Sequence, residues 1–490
     1  MSVIVIGAGV AGLASAIRMA VRGYKVDVFE ANDYVGGKLS EIQLGDFRFD
    51  AGPSLYTMPE YFEELFALAG KNFQDYCPYD KLDVITHYFY PNGKSFKAYA
   101  DADAFAAETA QHLGTETRAL KDHLRQSAHL YDLTANIFLN KSLHTVQQQS
   151  AKDLLKAGLY FKSLDLFRTM HKANEKRFAQ HPEMVQYFDR FATYNGSDPY
   201  QAPATLNIIP HLEHNIGAFF PKNGMFSLTQ SMEKLAQELG VVFHLNQKVE
   251  EIIVEKKKAI GIKAKGVTYL ADRVICNIDI QFAYRNLLKN QPAPENILSQ
   301  PRSSSALIFY WGVNGVFDQL HLHNILFSKD YKAEFDSLFK SKTMHPDPTV
   351  YINITSKYNS TDAPAGKENW FVMINAPNNE GQPWRDWIPA ARKNIIHKIN
   401  TILKTDIEPL IEEEAVLHPE TIESNTGSYR GALYGSASNN KMSAFLRHAN
   451  FSKKIGDLYF CGGSVHPGGG IPLCMLSAKI VDDLMHSNNR

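Results

Sequence analysis

The chain is poor in cysteine. Its 490 residues include only four, Cys77, Cys276, Cys461 and Cys474, and no two stand in C-x-x-C spacing. A zinc site or a disulfide framework is therefore not expected, no metal is predicted, and a reducing cytoplasmic setting suits the sequence. Excess charge is also missing: 51 Lys and Arg stand against 52 Asp and Glu, a formal net charge of -1. That balance gives no reason to expect a nucleic-acid partner. No stretch reaches the roughly 18 to 20 apolar residues of a membrane-spanning helix, so any membrane contact is expected to be peripheral, at the inner face of the cell membrane. Met1 to Ile17 carries no charged side chain, yet it lacks a basic start and is interrupted by Gly7, Gly9 and Gly12, unlike a signal peptide. Internal repeats and low-complexity tracts are absent too.

What is present begins at once. Val3 to Ile6 reads as a strand, Gly7, Gly9 and Gly12 follow in G-x-G-x-x-G spacing, and Leu13, Ile17 and Ala20 continue at helical period. A second strand, Lys25 to Phe29, ends on Glu30. This order suits a dinucleotide: Gly7 permits the tight turn, Gly9 admits the pyrophosphate to the backbone, and Gly12 lets helix pack on strand. The helix N-terminus offers N-H groups to phosphate, and Glu30 can accept from the ribose hydroxyls. A second such fingerprint is missing, which argues against a separate NAD(P)H domain.

Gly36-Gly37-Lys38 follows the acid, where a nicotinamide-binding unit does not usually carry a glycine pair. The whole stretch resembles the N-terminal signature of flavoproteins of the amine oxidase and carotenoid desaturase superfamily. That resemblance implies FAD, with the glycine pair and Lys38 near its diphosphate. Phe49-Asp50-Ala51-Gly52-Pro53 is turn chemistry and resembles the family's F-D-x-G-P segment, which implies that Gly52 brings backbone close to flavin or substrate. Pro221 to Met225, LGVVFHLNQKVEEI and VICNID resemble the central segment of bacterial-type carotenoid desaturases, where the strand holding Val249 passes the adenine. At the C-terminus, the strand Leu458 to Cys461 ends in Gly462-Gly463, and His466-Pro467-Gly468-Gly469-Gly470-Ile471-Pro472 opens a final helix. In the desaturases such a loop, here with Gly470 and Ile471 at the helix start, closes the flavin site. Leu473 and Cys474 depart from the glycine many relatives carry after that proline.

The resemblance implies an α/β fold: a Rossmann-like FAD-binding domain (1–80, 221–285 and 425–490), an interleaved α+β substrate domain (81–101 and 286–424), and a helical lid or membrane-facing subdomain (102–220). The activity implied is an FAD-dependent desaturase acting on an acyclic C40 carotenoid, with oxygen or quinone as electron acceptor. The substrate would be a phytoene-type intermediate or a 1-hydroxylated carotenoid at its 3,4 bond. A carotenoid isomerase using reduced FAD and an amine oxidase remain alternatives.

Other segments add expectations. Leu82 to Tyr99 reads as a β-hairpin that would floor a substrate cavity. Residues 102–191 are helical by pattern, and 151–178 pairs a broad apolar face with seven Lys and Arg, the composition either of a core helix or of an interfacial one on anionic lipid. Phe191 to Gly224, rich in Pro, Gly and aromatics, reads as a loop-laden wall, and Pro389 to Leu403 as a helix. Glu213, between His211 and His214, is the candidate general base, with His466 of similar status; a paired structural acid is the alternative reading of Glu213.

Overall fold

The computed structural model describes residues 1–135, 139, 141–142, 144, 165, 167–439 and 447–487. Strand Ser2–Ile6, apolar and buried, lies at the centre of a five-stranded sheet ordered 458–460, 273–276, 2–6, 25–29, 242–244. Each pairing is parallel, with Val3 beside Arg273 and Val26 in its two neighbours. Parallel strands need cover on their faces. Helix Val10–Val21 supplies it, packed against helices Ser227–Glu238 and Ile471–Ser487.

A second sheet has seven strands, ordered 411–417, 305–313, 368–376, 350–353, 323–326, 84–89, 95–99. Strand Ser305–Val313 is buried at every position, so both of its faces are covered. Its alternation divides the protein's interior. Leu307, Phe309, Trp311 and Val313 point into a core shared with helix Trp384–Leu403, while Ile308 and Tyr310 line a large cavity. The neighbouring strands repeat this division: Trp370, Val372 and Ile374 enter the core, and Phe371, Met373 and Asn375 face the cavity. The floor of the cavity is therefore the middle of this sheet. The expected hairpin exists, as strands Val84–Phe89 and Ser95–Tyr99, but it forms the sheet's edge and contributes only Thr86 to the cavity among the described residues.

The helical region contains Ala102–Leu113, Thr117–Thr134, Met170–Phe178 and Pro182–Asp189. The first is capped by Asp101, whose carboxylate accepts the amides of Asp103 and Ala104, and ends at Gly114 with φ +74°. Most of the apolar-basic stretch 151–178 lies outside the described residues; its last turns are the helix Met170–Phe178, which buries Met170, Asn174 and Phe178. Among the described residues no helix is long and apolar enough to cross a membrane.

Two expectations need correction. Residues 191–224 are not loop-laden but run through short helical turns, 190–195, 204–208 and 209–216, before strand Phe219–Pro221 pairs with 79–81. Pro203 and Pro210 sit at the starts of turns, where a missing N-H costs nothing, and Gly196 and Gly217 end them at positive φ. The helix expected from Pro389 begins at Trp384, with Pro389 inside it. Trp384 anchors that first turn: it is buried, and its indole N-H donates to Asn379 at 3.1 Å.

Candidate flavin site

The glycine loop is built by close approach. Gly7 has φ +90°, and a Cβ on Gly12 would stand 2.0 Å from the Gly7 carbonyl oxygen. Only glycine fits there, and this contact brings the helix down onto the strand. Gly9 begins the helix with no side chain capping it, so the N-terminal amides are left for a ligand. Glu30 turns back toward the loop: its Oε2 accepts the Ala8 amide at 2.7 Å and its Oε1 the Asn32 amide at 2.9 Å.

Gly36 (φ +115°) bridges to Gly9, and a Cβ on Gly37 would stand 3.4 Å from the Gly9 Cα. Gly52 is tighter still, since a Cβ there would lie 1.8 Å from the Lys38 carbonyl oxygen. The Lys38 ammonium donates to the carbonyls of Leu433 (2.9 Å) and Ala432 (3.3 Å), and burial lowers its pKa to about 8. From the other end of the chain, Gly462 (φ +104°) and Gly463 come to the same place, followed by Gly470 (φ +112°) at the head of helix Ile471–Ser487. A Cβ on Gly470 would meet nothing within 4 Å.

Asn277, which was not singled out from sequence, joins these pieces. Its amide nitrogen donates to the Gly7 carbonyl at 3.2 Å, and its side chain is the neighbour a Cβ on Gly9, Gly12 or Gly462 would strike. It directly follows the buried strand Arg273–Cys276, so a polar residue ending an apolar strand was the available signal.

All of these loops open on one cavity of about 1750 Å³. Single small-molecule sites usually occupy about 300 to 1,000 Å³, so this one has room for a cofactor and a second ligand. Gly7, Gly9, Glu30, Gly36, Gly37 and Lys38 line it. So do Gly52, Val249, Gly462, Gly463, Gly470 and Ile471. Gly12 lies behind the wall, consistent with its packing role.

Glu213 does not line the cavity. It is fully buried, and both of its oxygens accept from the Arg190 guanidinium, at 3.3 and 3.2 Å. Burial pushes its pKa up, with Arg190 opposing. Arg190 itself reaches the cavity wall, as do His323, Tyr331 and Tyr351. His214 is engaged with the Tyr187 hydroxyl, and His466 with the Lys141 carbonyl at 2.9 Å; burial lowers His466 to about pKa 4. The sequence offered one sign of Arg190, a lone cation in the aromatic run Phe188 to Tyr194.

A cradle of glycines in which Gly12, Gly36 and Gly52 leave no room for a side chain, an uncapped helix start and a buried carboxylate at the second strand's end together fit the diphosphate and ribose of FAD. The family model for flavin containing amine oxidoreductases matches residues 10–320. The 1-hydroxycarotenoid 3,4-desaturase of a Flavobacterium species is 50% identical over 486 residues, covering 99% of each chain. The 4,4'-diapolycopene oxygenase of a Methylomonas species is 35% identical, over 98% of this chain and 97% of its own. Among solved structures, putrescine oxidase bound to putrescine matches with TM-score 0.60 at 14% identity, over 100% of this chain and 98% of its own. An oxidoreductase from Methanosarcina mazei matches with TM-score 0.62 at 15% identity, over the whole of both chains; these two likenesses speak for the fold alone. The chain belongs to the flavin containing amine oxidoreductase family, as an oxidoreductase with an amine oxidase-like α/β fold and FAD as its cofactor.

Proposed function

We propose that the protein desaturates an acyclic carotenoid. The observation that carries this reading is the cavity's construction: flavin-binding loops on one side, and on the other a floor of Ile308, Tyr310, Phe371 and Met373 supplied by alternate residues of neighbouring strands. Its support outside the structure is the 50% identity, over nearly the full length, to a desaturase of hydroxylated carotenoids. That relative favours the 3,4 bond beside a 1-hydroxylated end over a phytoene-type intermediate.

Gly7, Gly9, Glu30 and the Gly36-Gly37 pair would hold the cofactor from the N-terminal side, and Gly462, Gly463 and Gly470 from the C-terminal side. FAD, when bound, supplies a hydride acceptor, while a proton leaves the neighbouring carbon. The apolar floor holds a polyene through burial, at about 25 cal/mol per Å², and keeps water from the reacting carbons. Glu213, off the cavity, acts through Arg190, which it fixes in place; its pairing with Arg190 and its absence from the cavity lining support a positioning role rather than a general base.

The reading divides the chain into a cofactor domain (1–80, 221–285 and 425–490), a substrate domain (81–101 and 286–424) and a helical lid (102–220). It puts the protein in the cytoplasm, meeting its oily substrate at the inner membrane surface, with oxygen or quinone removing the electrons. Expression in cells that make a hydroxylated acyclic carotenoid, and separately in cells that make phytoene, tests it. The expected product has lost two hydrogens per step by mass spectrometry and absorbs at longer wavelength. Peroxide release with amines, or an isomer of unchanged mass, would overturn it.

A further inference from the structure

An all-hydrocarbon cavity needs no polar atoms, yet one part of this wall is polar and unsatisfied. Arg190, His323 and Tyr331 are each at most 6% exposed and line the cavity. The Arg190 Nε, the His323 Nε2 and the Tyr331 hydroxyl have no hydrogen-bond partner among the described residues. These atoms are themselves buried and do not touch the open cavity as the side chains stand, so a ligand reaches them through a turn of Arg190, His323 or Tyr331, and each orphan costs free energy until a partner completes it.

The chemistry of the orphans is specific. The His323 Nδ1 faces the Tyr351 hydroxyl at 2.7 Å and the Asn353 amide nitrogen at 3.1 Å. An amide NH₂ can only donate, so Nδ1 accepts and the ring proton sits on Nε2. Burial first, and the Arg190 charge second, lower His323 to about pKa 3, so the ring stays neutral. The Arg190 Nε-H and His323 Nε2-H are therefore donors, and the Tyr331 hydroxyl can donate or accept. Glu213 already neutralises Arg190, so a carboxylate ligand would bring an unmatched charge. What completes the set is a neutral oxygen.

Position narrows it further. Tyr351, bonded to His323, also bonds Ser54 at 2.7 Å, and Ser54 follows Gly52-Pro53, the cavity-lining segment packed against the Lys38 backbone. Two hydrogen bonds thus tie the polar group to a flavin-side loop. We infer that Arg190, His323 and Tyr331 bind a neutral terminal oxygen of the substrate, a hydroxyl placed within a few carbons of the bond that is oxidised. This rests on the desaturase reading and adds to it the residues that select the substrate's end. A polyene reacting at mid-chain would put hydrocarbon against these orphans.

The test uses FAD-loaded protein with two acyclic carotenoids of equal length, one with a terminal tertiary hydroxyl and one without. Wild type is expected to favour the hydroxylated one in kcat/KM by about 100-fold or more. Tyr331→Phe, and separately the paired change Arg190→Met with Glu213→Leu, which leaves no buried charge alone, should each cut that preference by about tenfold. The loss should fall mainly on KM for the hydroxylated substrate. Flavin absorbance reports that each variant is folded and loaded, and a purely structural role would not move the ratio. Equal use of both substrates by wild type, or an unchanged ratio in both loaded variants, overturns the inference and leaves desaturation standing. Loss of two hydrogens from neither substrate would overturn the desaturase reading, and this inference with it.

Discussion

The Oε2 of Glu30 accepts the backbone amide of Ala8 at 2.7 Å, so the acid that ends the second strand is fastened to the glycine loop that ends the first. Glu30→Ala removes this tie along with the acceptor for the Asn32 amide. FAD should then dissociate about tenfold more readily, measured by the recovery of flavin fluorescence on dilution. The product at full flavin occupancy should be the same as wild type's, because Glu30 has no place in the substrate end of the cavity.

Two glycines separate packing from backbone strain. A Cβ on Gly52 would strike the Lys38 carbonyl at 1.8 Å, whereas one on Gly23 (φ +83°) meets nothing within 4 Å. Gly23→Ala should cost only the left-handed backbone term, about 1 to 2 kcal/mol. Gly52→Ala must move backbone and should cost more than about 3 kcal/mol. Thermal unfolding of both variants checks the order, and equal losses would contradict it.

Lys38 predicts a pH dependence. Its folded pKa of about 8 lies below the ordinary 10.5, chiefly through burial. Below about pH 8 the ammonium is charged in both folded and unfolded chains and its burial cost is present in full. Between about 8 and 10.5 the unfolded chain binds more protons, so stability rises with pH. Flavin-free wild type should therefore gain in melting temperature on Lys38→Met as pH climbs from 8 to 10. A constant difference would show that the buried ammonium carries no such cost.

Glu213→Ala leaves the Arg190 guanidinium buried without its carboxylate, which should cost about 3 to 5 kcal/mol in urea unfolding. Replacing both, by Arg190→Met and Glu213→Leu, should recover most of that loss. A double variant less stable than Glu213→Ala would count against the pair as a simple buried ion pair.

The parts of the site legible in sequence are those a few consecutive residues specify. Gly7, Gly9, Gly12 and Glu30 follow from one strand-helix-strand unit, and the Gly462-Gly463 and Gly470 loop from a second strand and helix. Arg190, His323, Tyr331 and Tyr351 were not legible: they come from a helical turn, two strands and a helix start whose juxtaposition only the seven-stranded sheet creates. Glu213 was picked out, but its pairing with Arg190 behind the cavity wall was not legible, since residue type and flanking histidines do not say which way a buried acid faces. The start of the helix at Trp384 was hidden because Pro389 reads as a boundary, although a tryptophan anchored five residues earlier holds that turn.

The order of strands in the parallel sheet has a consequence for how the protein is made. Strand Ser2–Ile6 leaves the ribosome long before strand Leu458–Phe460 and its glycine loop. At about 5 to 20 residues per second, synthesis separates them by about 20 to 90 seconds. Throughout that interval the nascent chain holds at most half a cradle, and once Arg273–Cys276 has been made its outer edge waits unpaired for Leu458–Phe460. Cofactor capture is therefore a late event in the life of each molecule, and nascent chains stalled before residue 458 should carry no flavin.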